Sequence, residues 1–280
     1  MPHHLGEWEK RVRKLCFLSG LPRSGSTLLA ALLRQNPRVH AHMSSPLSGM
    51  LDVMVAEMSA SEFAEFIDDE RRWNVLRGVV EGYYANVQQD VVFNTSRAWC
   101  GRMALLNRLY PDSKVIACVR HMPWIIDSFE RVFRLNALRA SSIFDHDART
   151  SVYSRVEAIA AGNGAVGYAF NALREGYFGE FVQGRLMLLQ YETLVQDPAR
   201  AMEAVYRFIE EDGFQHDFQR VVFESVAFDE KTGLPGLHDV KPVVAPTIRE
   251  TVLPPDLYNR FENDSFWRQP AARREGIVIV

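Results

Sequence analysis

The chain has 280 residues, 47% of them apolar and 24% charged, with a formal net charge of −3. That balance suits one α/β domain over residues 1–280, and it excludes a partner held by bulk positive charge, so neither nucleic acid nor an anionic membrane is expected. No apolar run reaches the ~20 residues of a membrane span, and three cysteines give neither a disulfide framework nor a metal spacing, so a cytoplasmic, reduced protein with no metal site is expected.

Residues 1–14 are polar and read as a surface segment, with His3 and His4 solvated. Leu15 to Leu18 is a short apolar strand, and Gly20-Leu21-Pro22-Arg23-Ser24-Gly25-Ser26-Thr27 turns from it into a helix whose apolar spacing begins at Leu28. Strand, glycine-bounded loop and helix make a phosphate cradle of backbone N–H groups. Ser26 stands where an NTPase carries its lysine, Thr27 keeps the following hydroxyl, and the nearest cation is Arg23. The loop therefore binds phosphate without the usual equipment for ATP hydrolysis. Its helix ends before Asn36-Pro37, because proline disfavours helical geometry in the residue before it.

His40 to Ser48 is polar and irregular, and is expected to return over the site. Ser61 to Val87 has helical spacing broken by Asp68-Asp69-Glu70-Arg71-Arg72, which predicts one bent helix or two. Val91-Val92-Phe93 and Lys114 to Val119 read as buried strands, the first followed by Asn94 to Arg97 and a helix from about Trp99 to Leu109, the second ending at Arg120. The helix from Pro123 carries Ser128, eight residues after Arg120. Leu138 to Thr150 is loop-like, Ser151 to Phe181 mostly helical with a weak point at Gly162-Asn163-Gly164, and Arg185 to Gln190 a further strand leading to Tyr191. Asp197-Pro198 is a helix start. Residues 229–255 are rich in Gly and Pro and predict long ordered loops, Leu257 to Trp267 a closing helix, and 269–280 a loose tail. Apolar strands alternating with amphipathic helices predict a central parallel sheet covered on both faces, a P-loop NTPase-like three-layer α/β/α fold. Ligands then bind beyond the carboxyl ends of the strands, where the glycine loop, Asn94 to Arg97 and Arg120 meet.

Four separated motifs over roughly 15–245 together resemble the sulfotransferases that use 3′-phosphoadenosine 5′-phosphosulfate (PAPS), closer to the tyrosylprotein enzymes than to the cytosolic steroid and phenol enzymes. Leu21 to Leu28 resembles the 5′-phosphosulfate loop. Val119-Arg120 with Ser128 resembles the 3′-phosphate motif, Tyr191-Glu192 the element beside the adenine, and Lys241-Pro242-Val243 the segment that closes on the nucleotide. The resemblance implies that PAPS is bound by Arg23, Ser24, Gly25, Ser26 and Thr27 at one end and by Arg120 and Ser128 at the other, with Tyr191 and Lys241 between. The two anion sites are what a two-ended nucleotide needs.

The acceptor side departs from the pattern. The glutamate of tyrosylprotein-type enzymes falls here on Ser44, and His42 is the first candidate for general base, with His121 and His238 in reserve. Arg97 is the candidate for contact with the sulfuryl oxygens, and Arg23, at the 5′ end, is the other catalytic cation expected. Trp99, Trp124 and Phe144 are read as core before acceptor pocket. The expected reaction is metal-independent transfer of a sulfuryl group from PAPS to a hydroxyl or amine of a small-molecule acceptor or a peptide tyrosine, by a monomer or homodimer. A P-loop kinase or NTPase and a nucleotide-binding module without catalysis are the alternatives, the first opposed by the missing lysine and the second suggested by the missing glutamate.

Overall fold

In the computed structural model, which describes residues 13–280 other than 61, 139–142 and 144–146, six strands form one parallel sheet. His3, His4 and Phe144 lie outside the described residues. The strands are β1 (Lys14–Gly20), β2 (Val39–Ala41), β3 (Val91–Thr95), β4 (Lys114–Val119), β5 (Leu186–Gln190) and β6 (Val278–Ile279). Their spatial order is β2-β3-β1-β4-β5-β6. From β1 the chain crosses to the sheet edge at β2, comes back through β3 beside β1, and then continues on the other side with β4, β5 and β6. The crevice between the carboxyl ends of β1 and β4 is therefore the topological switch point, where open α/β sheets take their ligands.

Alternate residues of the same strands enter different cores, which is why both faces must be covered. Phe17, Val92, Val115, Ala117, Leu186 and Leu188 pack with the helices Leu47–Glu57, Met122–Leu135 and Gly167–Phe178 among others. Cys16, Leu18, Ile116, Cys118, Met187 and Leu189 pack on the opposite face with the helices Ser26–Leu33 and Pro198–Phe208. That period of two, written in strands apolar on both sides, gives the three layers.

Asp197 begins the helix Pro198–Phe208 as the sequence predicts, its carboxylate accepting from the Arg200 N–H at 3.1 Å. Asp197→Ala is expected to lower the unfolding free energy by about 1 kcal/mol. Urea denaturation measures it, and Asp197→Asn should retain most of the stability.

The structure departs from the sequence reading in several places. The polar stretch after the first helix contains β2, which pairs with β3 from Val39↔Val91 to Ala41↔Phe93. A helix at Leu47–Glu57 follows that the sequence did not announce: it buries only Leu47, Ser48 and Leu51, leaving Met50 and Val53 exposed. At the acidic cluster the second of the two readings holds: a short 3-10 turn at Glu62–Phe66 comes before it and a separate helix starts at Asp69, with Asp68 accepting from the Arg71 N–H at 2.8 Å. The tail expected to be loose holds β6, whose Val278 and Ile279 pair with Met187 and Leu188. Among the described residues no helix is long and apolar enough to cross a membrane.

Candidate active site

The glycine loop is built by close approach. Gly20 has φ +100°, and a Cβ there would lie 2.2 Å from the Cys118 carbonyl oxygen, so only glycine lets β1 turn while Leu21 N–H still bonds that oxygen at 2.8 Å. Gly25, at φ +90°, passes against Tyr191, whose ring carbon would sit 2.9 Å from an added Cβ. The helix Ser26–Leu33 then starts with no side-chain cap and no acidic residue in its first turn. Its free N–H groups and the positive end of its dipole are left for an anion.

A cleft of about 450 Å³ opens at this point, and Arg23, Gly25, Ser26, Thr27, Arg97, Arg120, Ser128, Tyr191 and Lys241 all line it. Residues predicted from four motifs across the chain thus meet in one space. Arg23 occupies a left-handed conformation (φ 60°), and its Nε donates to the buried Ser128 hydroxyl at 3.0 Å. Arg120 donates to the Arg23 carbonyl at 3.3 Å and lays its guanidinium over the Tyr191 ring at 4.2 Å. The glycine loop and the Arg120–Ser128 motif are therefore already in contact, and Tyr191 touches both the glycine loop and Arg120.

The electrostatics favour an anion. Burial, then the charge of Arg120, pushes the Arg23 guanidinium down to about 10, against an opposing pull from Asp229. Arg120 is lowered by burial and by Arg249 as well. These cations remain charged near neutrality but have lost hydration and repel one another, a cost that a polyanion would relieve.

Arg249 is a cleft residue that the sequence reading missed. It sits in a Gly- and Pro-rich stretch where one arginine gives no signal. What places it is Asp127, fully buried, which pairs with Arg249 at 2.6 Å and accepts from the Val252 N–H at 2.8 Å and the Thr251 hydroxyl at 3.1 Å. That carboxylate ties the late loop to the helix carrying Ser128. Lys241, on the same loop, is exposed and donates to Thr247 at 3.0 Å.

Other predicted residues lie elsewhere. Ser24 is buried with its hydroxyl turned to the Pro22 carbonyl at 3.4 Å, and it is not part of the cleft lining. His42 is exposed, packs edge-on to His40 with centroids 4.7 Å apart, and is drawn below its ordinary pKa by burial and then by Arg34; the lining runs through Met43 and Ser44 but not through it. Arg97 reaches solvent at the cleft wall, donates to the Ala165 carbonyl at 3.1 Å, and is crowded enough by protein for its pKa to fall. His121 is turned to the Glu262 carbonyl and Trp124 packs on Tyr258, while Trp99 is core, its indole bonded to Asn94 at 2.9 Å. His238 lines the cleft, its Nδ1 facing the Asp229 Oδ1 at 2.5 Å.

Against known proteins, the profile described as the sulfotransferase family matches residues 16–216, which includes most of β1, the glycine loop, Arg120, Ser128 and Tyr191. The chain belongs to the sulfotransferase family. Nodulation protein NoeE of Sinorhizobium fredii (strain NBRC 101917 / NGR234) is 30% identical to this sulfotransferase-family chain over 124 residues, a match covering 38% of the chain and only 29% of NoeE. Among solved structures, the sulfotransferase domain from the curacin biosynthetic pathway is similar in fold, with a TM-score of 0.50 and 17% identity over 93% of each chain. The sulfotransferase domain of the Synechococcus PCC 7002 olefin synthase aligns over 91% of this chain and 90% of its own, at 19% identity and a TM-score of 0.43.

Proposed function

We propose that this protein transfers a sulfuryl group from PAPS to a hydroxyl or amine of a small-molecule acceptor or a peptide tyrosine, leaving adenosine 3′,5′-bisphosphate. The observation that carries this reading is the junction of an uncapped helix N-terminus with the Arg23, Arg120, Ser128 and Arg249 cluster in one cleft. A mononucleotide with a single phosphate chain would satisfy only one of those two ends. When bound, PAPS supplies an activated sulfuryl group on its 5′ phosphate and an anchor at its 3′ phosphate.

In this reading the N–H groups of residues 25–27 with the Ser26 and Thr27 hydroxyls hold the 5′ end, and Arg120 with Ser128 holds the 3′ phosphate by charge-assisted hydrogen bonds. Arg23, next to both, neutralises charge that accumulates on the leaving phosphate, and Arg97 contacts the sulfuryl oxygens. Tyr191 stacks near the adenine, and Lys241 brings the late loop against the nucleotide.

Thermal shift tests the donor. At a concentration a hundredfold above Kd, adenosine 3′,5′-bisphosphate should stabilise the protein by about 2.7 kcal/mol, several degrees in Tm, with or without magnesium. Stabilisation by ATP with magnesium alone would instead support a kinase. Sulfur-labelled PAPS offered with a panel of phenols, aliphatic alcohols, amines and a tyrosine peptide should then yield labelled product; bisphosphate binding with no transfer to any of them would leave a nucleotide-binding module.

A further inference from the structure

Asp229 is 1% exposed, and each of its carboxylate oxygens meets His238: Oδ2 accepts the backbone N–H at 2.8 Å and Oδ1 faces ring Nδ1 at 2.5 Å. A carboxylate in this role accepts, so Nδ1 carries the hydrogen and the imidazole lone pair lies on Nε2. The Phe228 ring stands edge-on to the imidazole with centroids 5.3 Å apart, which fixes the ring plane from a second side. Phe228 and His238 line the same cleft as Arg23 and Thr27. The Asp229 charge raises the Arg23 guanidinium's pKa, opposing burial and Arg120, so the carboxylate is felt within this cleft. Loop geometry alone would explain an aspartate that caps a backbone N–H. It does not explain a second oxygen committed to the ring of a histidine in the cleft wall.

We propose that His238 is the general base of the sulfuryl transfer and that Asp229 is its positioning residue, an assignment that rests on the function proposed above. His238 Nε2 takes the proton from the acceptor hydroxyl or amine as the acceptor oxygen or nitrogen bonds to sulfur. The bond between sulfur and the 5′-phosphate oxygen breaks, and its electron pair leaves on that phosphate. Asp229 holds the reactive tautomer and balances the imidazolium, which then loses its proton to solvent. Among the described residues His42 has no such carboxylate: its ring meets His40, and its carbonyl oxygen accepts from Thr95 at 2.5 Å.

The test uses the best acceptor of the panel above. His238→Gln is expected to lower kcat roughly 10²-fold or more, while the Kd for adenosine 3′,5′-bisphosphate stays within about twofold. His238→Gly should lose as much and regain part of its turnover when imidazole is added, which a structural role would not produce. Asp229→Asn should lower kcat less, without rescue by imidazole. Full turnover in His238→Gln overturns the proposal, as does parallel loss of bisphosphate binding in that variant or failure of imidazole to rescue a folded His238→Gly. If His238→Gly does not fold, the near-isosteric glutamine variant decides through its split between kcat and Kd. If the wild type transfers label to no acceptor, the proposed function fails and this assignment falls with it; wild-type transfer alongside an unimpaired glutamine variant removes the assignment alone.

Discussion

Arg23→Ala is expected to lower kcat for label transfer from PAPS by about 10²–10³, with a smaller change in the affinity for adenosine 3′,5′-bisphosphate. The reason is position. Arg23 is in the loop assigned to the 5′ end, its guanidinium is desolvated, and its Nε already donates to Ser128, the residue assigned to the 3′ end. A cation at that junction is better placed to meet charge developing on the leaving phosphate than to hold the resting nucleotide, which has the loop N–H groups and Arg120 as well. Alanine keeps a side chain at φ 60°, so the backbone strain at this position is unchanged and the loop should keep its path. Single-turnover measurements with saturating PAPS isolate the chemical step. Turnover equal to wild type would leave Arg23 with a structural role only.

Arg120→Ala should act at the other end of the same ligand. Hydrogen bonds to charged groups are worth about 1.5–3 kcal/mol, which predicts roughly a tenfold to hundredfold rise in the Kd for the bisphosphate. Adenosine 5′-phosphate, which lacks the 3′ group, supplies the control: its affinity should move little, because the uncapped helix and the loop are intact. Calorimetric titration of both nucleotides reads the difference. Equal losses for the two would show that Arg120 holds Tyr191 and the loop together through its 4.2 Å stacking and its bond to the Arg23 carbonyl, and does not select a 3′ phosphate.

The sheet and the meeting of the glycine loop with Arg120 were legible in the sequence because their signals are local. A strand apolar on every residue, a glycine pair with a fixed spacing, and an arginine at a strand end each constrain the backbone around them, and parallel topology then brings the strand ends together. Ser128 was found because its place eight residues after Arg120 resembles the family's 3′-phosphate motif. The late loop was less legible for the opposite reason. Arg249 and His238 lie in a stretch with no periodicity, and what fixes them is a pair of buried aspartates, Asp127 and Asp229, whose partners are 122 and nine residues away in the chain (249 minus 127, and 238 minus 229). An aspartate in an amphipathic helix reads as a solvated residue until its burial is known. The helix Leu47–Glu57 escaped because its buried stripe is narrow, and β2 because three residues at a sheet edge leave too short a pattern.

The three cysteines, first noted only for what they exclude, open a practical route. Cys16, Cys100 and Cys118 are free and buried, and burial pushes their thiols up to about 12, 11 and 12. Almost no thiolate is then available at neutral pH, so the folded protein should be nearly inert to maleimides. A lone cysteine introduced at exposed Val243, on the cleft side of the loop bearing Lys241, would take a fluorophore without first stripping the native thiols, and its emission would follow that loop in real time as nucleotide enters and leaves.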